Sequence, residues 1–349
     1  LRTISLFLVF LLASVLAFSK DPYRQVVARR GDGTQLLLRR YGLNPNTHLQ
    51  AFLALNRANL SKGKDLIAGR KYRLPNASPR AIAGKPKPSA ATAGRTASVR
   101  KTAPVPLASL FGSAYGRVAV RDQALRGAIL YVSSGHGGPD PGAIGKYGGY
   151  SLAEDEYAYD VALRLARVLT EHGALVYMII QDPNDGIRDQ PVLLTDYDEV
   201  TYPQQPIPRS QLARLRQRIN AVNKLHGQHR NTYQRFLGLH VDSRSESQNI
   251  DVFFYHNSAS AAGQRLAERI HQTFTTRYKR SQPNRAYSGK VSSRNTLYVV
   301  RNSHPPAVFM ELGNIQNLKD QRRFVIPDNR QAMANWICEG IIADYRARR

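Results

Sequence analysis

The sequence is short of cysteine, of acid and of long apolar runs. Cys338 is the only cysteine among 349 residues, so no disulfide can form within the chain. No cysteine follows the apolar N-terminal stretch, which excludes a lipoprotein-type attachment there. That stretch, residues 4–18, is the one long apolar run near the start. It falls short of the roughly 20 residues a membrane span needs. It follows Arg2 and runs into Ala17-Phe18-Ser19 before Lys20, so residues 1–19 read as a secretory signal. The alternatives are an uncleaved anchor and a buried helix.

Acidic residues number 25 against 50 Lys+Arg, for a net charge of +25. The imbalance is concentrated early. Residues 1–126 hold 22 basic and 4 acidic side chains, a net +18, and residues 127–349 hold 28 and 21, a net +7. A basic arm attracts polyanions through a field that salt screens. With an export signal in front, an anionic surface outside the cell fits this charge better than nucleic acid does. The alternative is a charge that only keeps a linker solvated.

What is present divides the chain into segments. Residues 23–75 have folded-type patterning. Strand-like Gln25-Val26-Val27-Ala28 precedes helical spacing over 34–41 that stops at Gly42, then a short helix over 49–56 and a closing strand over 71–74 with Pro75 behind it. Residues 76–105 are rich in Ala, Pro, Lys, Arg, Ser and Thr, and read as a disordered basic linker. From 126 to 349, apolar runs alternate with amphipathic stretches. Strands are predicted at 128–132, 175–180, 236–240, 251–255, 297–300 and 307–311. Helices are predicted at 154–172, 211–225, 261–278 and 331–345. This alternation implies an α/β domain, a mostly parallel sheet with helices on both faces.

Four residues in that domain suggest chemistry. Gly135-His136-Gly137-Gly138 follows the first strand directly, where open α/β sheets form sites. The glycines leave room for a ligand beside His136. No Gly-Lys-Ser/Thr follows, so a phosphate loop is a poor account. Glu154 starts the next helix, although three successive acids there also suit the helix dipole. His240 ends the strand Phe236-Leu237-Gly238-Leu239-His240, and Glu311 ends the apolar strand Ala307-Val308-Phe309-Met310-Glu311. A carboxylate in that place is costly without a partner. All four positions fall along one edge of a parallel sheet. Two histidines and a carboxylate make a catalytic zinc set with a fourth position open, and a further carboxylate can serve as general base.

These stretches closely resemble the zinc-dependent N-acetylmuramoyl-L-alanine amidases of the family 3 type. The matching residues run from Ser134-Gly135-His136-Gly137-Gly138-Pro139-Asp140-Pro141-Gly142 through Glu154, Arg218, Asn223, Leu239-His240-Val241-Asp242-Ser243 and Val252-Phe253-Phe254-Tyr255 to Pro306-Ala307-Val308-Phe309-Met310-Glu311-Leu312-Gly313-Asn314. The resemblance implies zinc on His136, Glu154 and His240, and a catalytic Glu311. It implies hydrolysis of the amide between N-acetylmuramic acid and L-alanine. Residues 23–75 resemble a LysM module through Val26-Val27, Gly31-Asp32, Ala54-Leu55-Asn56 and Gly69-Arg70-Lys71-Tyr72-Arg73-Leu74-Pro75, which implies binding to wall glycan. The expected place of action is the periplasm or cell wall. Peptidoglycan is the expected partner. An activating protein is allowed, nucleic acid is not expected, and a membrane enters only through an uncleaved signal anchor. Two other readings remain open: a peptidoglycan-binding protein without turnover, and a zinc carboxypeptidase acting on the stem peptide.

Overall fold

The computed structural model describes residues 23–28, 33–41, 43, 45–61, 65–75 and 105–348. The segment read as an export signal lies outside them, as does the linker up to residue 104. The chain divides into two compact units, Leu1–Ala93 and Gly94–Arg349.

In the first unit β1 (Gln25–Val27) is followed by α1 (Thr34–Arg40), α2 (Pro45–Asn56) and β2 (Lys71–Arg73). α2 begins at Pro45, where a missing N–H costs nothing, and so starts earlier than the apolar spacing predicts. The two strands pair antiparallel with Val26 opposite Tyr72. Leu37, Leu38, Phe52 and Tyr72 are fully enclosed and form the core of this unit. Asn56 fastens the end of α2 to β2. Its Nδ2 donates to the carbonyls of Phe52 and Arg73, and its Oδ1 accepts from Arg73 N at 2.7 Å.

The second unit runs through α3 (Leu107–Leu110), β3 (Ala128–Ser134), β4 (Ile144–Tyr147), β5 (Tyr150–Ala153), α4 (Glu154–Glu171), β6 (Leu175–Met178) and β7 (Ile180–Gln181). It continues through β8 (Val200–Thr201), β9 (Gln205–Pro206), α5 (Gln211–Gln228), β10 (Tyr233–Asp242), β11 (Phe253–His256) and α6 (Ala261–Ser281). It ends with β12 (Lys290–Ser293), α7 (Tyr298–Asn302), β13 (Ala307–Asn314), α8 (Leu318–Val325) and α9 (Pro327–Arg346). Leu110, Phe111 and Leu125 join the core of this unit, so it takes in chain ahead of Arg126.

Six strands form the central sheet in the order β12-β11-β13-β10-β3-β6. Every neighbouring pair is parallel except β11 with β13. The predicted mostly parallel sheet is therefore the one observed. Its two faces are buried by different helices, following the two-residue alternation of strand side chains. Leu130 and Val132 of β3 share a core with α4, α6 and α9, whereas Ile129 and Tyr131 pack with α5 and α7.

Two expectations need correction. Residues 297–300 are not a strand. Leu-Tyr-Val-Val is too short to carry a period, and the chain coils there into α7. Its Val299 and Val300 are buried in the α5 core, and Asn302 Nδ2 closes the turn on Tyr298 O at 2.8 Å. The strand expected over 175–180 is broken after Met178, and Ile180–Gln181 joins a separate three-stranded sheet with β8 and β9. Among the described residues no helix is long and apolar enough to cross a membrane.

Candidate metal centre

β3 delivers the chain to Gly135-His136 beside β10, and Gly135 N donates to Leu239 O at 2.6 Å. A methyl group on Gly135 would lie 2.3 Å from His240 Nδ1, so only glycine lets the two strands bring their histidines together. His136 itself has φ +53°, and Gly137 and Gly138 continue in positive φ. This left-handed run, rare for a side chain other than glycine, turns the imidazole back toward α4.

Glu154, the first residue of α4, lies between the two histidines. His136 Nε2 is 3.2 Å from Glu154 Oε2, and His240 Nδ1 is 3.0 Å from Glu154 Oε1. Each oxygen also accepts a backbone N–H, Ala143 N on Oε2 and Val241 N on Oε1. Donor atoms from His136, Glu154 and His240 all fall within 4.8 Å of one another. Gly142 walls the cluster, and a methyl there would reach within 2.6 Å of Glu154 Oε2. Three of the sequence-predicted residues are thus brought into one cluster.

The fourth, Glu311, is opposite His240 in the parallel register of β10 and β13. Both strands run past these residues, to Asp242 and Asn314, so neither residue is the strand end anticipated from the sequence. Glu311 Oε2 is buried and has no hydrogen-bond partner among the described residues. Phe309, two residues earlier on the same face, stacks on the His240 ring at 4.2 Å between centroids.

The electrostatics suit a cation. Burial opposes the His136 imidazolium, yet hydrogen bonds and charge from Asp140 and Glu154 outweigh it and hold its pKa up at about 10. Burial likewise pushes Glu154 up, but His136 and His240 keep it well below the usual carboxylate range. Burial is the largest influence on His240 and pulls it down. Burial, then the charges of Glu154 and Asp242, push Glu311 far up. A cation would displace the His136 proton, and the donor set would then be two imidazoles and an ionised carboxylate, with the buried Glu311 beside them. That set fits zinc with an open position.

The sequence resemblance includes Asp140 and Arg218 but assigns neither a role, and Arg214 and Glu199 were missed. Asp140 Oδ2 accepts from His136 Nδ1 at 2.8 Å, fixing which nitrogen faces Glu154. Arg214 Nη2 holds the same oxygen at 2.5 Å, and the His136 hydrogen bond is the chief reason Asp140 is lowered to about 2. Arg218 donates to His136 O. Glu199 Oε2 accepts from Gly138 N at 2.6 Å. The i,i+4 spacing of His136 and Asp140 was the available signal for the first of these.

A sequence profile described as N-acetylmuramoyl-L-alanine amidase matches residues 130–343, more than half of the chain. The germination-specific N-acetylmuramoyl-L-alanine amidase of Bacillus subtilis is 23% identical over 218 residues, covering 62% of this chain and 80% of its own length. The "Probable cell wall amidase LytH" of Staphylococcus aureus is 25% identical over 219 residues, and the match spans 58% of its length. Among solved structures, the N-acetylmuramoyl-L-alanine amidase from Clostridium difficile 630 is 15% identical with a TM-score of 0.48, covering 64% of this chain and 100% of that one. Cwp6 from Clostridium difficile is 21% identical with a TM-score of 0.46, covering 62% of this chain and 29% of that one.

Proposed function

The chain belongs to the N-acetylmuramoyl-L-alanine amidase family, and we propose that it hydrolyses the amide joining N-acetylmuramic acid to L-alanine in peptidoglycan, with one zinc ion on His136, Glu154 and His240 and with Glu311 as general base. The observation that carries this reading is Glu154 spanning both histidines, with the unpartnered Glu311 Oε2 beside them.

Bound to these three ligands, zinc supplies Lewis acidity toward the amide carbonyl and lowers the pKa of water toward about 7. The chain's own groups do the rest. Asp140 holds His136 Nδ1, so that Nε2 presents its lone pair. Phe309 keeps the His240 ring in one plane by stacking. Glu311 takes the proton of the attacking water and returns it to the nitrogen of the departing L-alanine. Its desolvated environment raises its basicity for the first transfer.

Residues 1–19 export the chain, so the enzyme acts outside the cytoplasm. Residues 23–75 hold it to wall glycan as a LysM-like module. Residues 76–105 link that module to the catalytic unit, and their basic side chains favour an anionic wall. The test of the metal is direct. The purified protein should carry about one zinc per chain, lose peptidoglycan cleavage on chelation, and regain it with zinc. Undiminished cleavage after verified metal removal would refute the mechanism.

A further inference from the structure

A second group of acids lies apart from the histidines. Donor oxygens of Glu156, Asp196 and Glu199 approach within 4.8 Å of one another, and so do those of Asp182, Asp196 and Asp198. Arg188 enters this region, and its Nη1 binds Glu156 Oε2 at 2.8 Å and Asp185. Among the described residues, no Lys, Arg or His pairs with Asp182, Asp198 or Glu199.

The two trios differ. Glu156 is already occupied, by Arg188 on one oxygen and Asp196 N on the other at 2.9 Å, and the guanidinium would repel a further cation. Asp182 is not. Its residue is 1% exposed. Oδ1 accepts from Asn184 N and Asp185 N at 2.9 and 2.8 Å, while Oδ2 has no hydrogen-bond partner among the described residues. A buried anionic oxygen without a partner is among the costliest groups a fold can carry.

We infer that Asp182, Asp196 and Asp198 hold one divalent cation of the calcium class. The donors are all carboxylate oxygen, which selects a hard cation over zinc. Asp198 is exposed, so water can complete the six to eight ligands calcium takes. Burial, with neighbouring acids adding to it, pushes Asp182 up to about 7 and Asp196 up to about 9, and a divalent charge would reverse both. The cation would also fix the segment that leads to Glu199, whose Oε2 braces Gly138 two residues beyond His136. It would thereby stiffen the histidine loop from outside.

The test uses the full chain in zinc-containing buffer, titrated calorimetrically with CaCl2 and separately with MgCl2. Expected is about one Ca2+ per chain with Kd no weaker than about 10⁻³ M, tighter than Mg2+. Asp182→Asn, which keeps Oδ1 as an acceptor, and Asp198→Asn should each weaken Ca2+ about tenfold or more through the lost ligand charge. His136→Ala should leave Ca2+ affinity unchanged, which separates this site from the zinc site. A variant-free check is Tb3+ luminescence sensitised by Tyr197, displaced by Ca2+. Failure of the wild-type chain to take up Ca2+ or Tb3+, wild-type Ca2+ affinity retained in either carboxylate variant, preference for Mg2+, or loss of Ca2+ binding in His136→Ala would each overturn the inference.

Discussion

His240 and Glu311 are register partners on the adjacent parallel strands β10 and β13. That pairing sets a histidine tied to Glu154 next to a carboxylate that is tied to nothing among the described residues. It also separates the two glutamates by role. Glu154 has both oxygens engaged by ligand-type nitrogens and backbone amides, and Glu311 has a free, desolvated oxygen.

The glutamate pair gives the first prediction. Glu311→Gln keeps the size and removes the basicity, so zinc should remain bound while turnover falls by about 10²–10⁴. Glu154→Gln should instead weaken zinc, because a neutral amide is a poorer ligand. Zinc content by atomic absorption, paired with turnover on a muramoyl-peptide, reads both. Zinc lost from Glu311→Gln and kept in Glu154→Gln would reverse the roles.

Asp140 is predicted to act through His136. Asp140→Asn removes the carboxylate that accepts from His136 Nδ1 and from Arg214 Nη2. Zinc affinity should drop about 10–100-fold, with activity restored at high zinc concentration. A competition assay against a chromogenic chelator measures this. Unchanged affinity would show that Asp140 has no part in positioning the ligand.

The acidic segment gives a pH dependence. Asp182 is raised to about 7, chiefly by burial and then by Asp185 and Asp198. Asp196 and Glu199, raised to about 9 and 10, lie in the same field with Asp155, Glu156 and Arg188. Asp182 therefore binds a proton more readily folded than unfolded, where an Asp titrates near 3.9. Its contribution to stability is full below about pH 4 and is lost as pH rises through about 7. Without calcium, wild type should lose melting temperature relative to Asp182→Asn between pH 5 and pH 9. With calcium the loss should shrink. A relative gain across that range without calcium would contradict the sign.

The N-terminal unit is predicted to be a wall anchor. Deleting residues 20–105 should weaken sedimentation with insoluble peptidoglycan and spare cleavage of soluble fragments. Part of the wild-type binding should fade with added salt, since residues 1–126 carry a net +18. Identical sedimentation of the two forms at every salt concentration would remove the anchor role.

The candidate site was legible because its residues sit at places the sequence marks strongly. His136 lies among glycines after a continuous apolar strand, and His240 and Glu311 are polar interruptions of such strands. Their support was harder to see because it is assembled from distant chain. Asp140 meets Arg214, and Gly138 meets Glu199, only after folding. Short or polar elements were also invisible. The edge strand Lys290–Ser293 has one apolar residue, and the hairpin of β4 and β5 is two four-residue strands. Half of helix Leu318–Val325 is charged, and its clearest mark is Asn317, whose side chain accepts from Lys319 N and Asp320 N. The acids at 182–199 are spread over a connection without periodicity, so nothing linear announces that Asp182, Asp196 and Asp198 converge.

The bond that is cut distinguishes an amidase from the other two readings. Purified peptidoglycan digested with the zinc-loaded protein should yield, by mass spectrometry, glycan strands bearing free lactyl carboxyl groups and intact stem peptides with a free L-alanine amine. Both products should form about 10²–10⁴ times more slowly with Glu311→Gln. Shortened stem peptides still attached to N-acetylmuramic acid would mean a carboxypeptidase, and binding without any released product would mean a wall-binding protein. Either result would contradict the account.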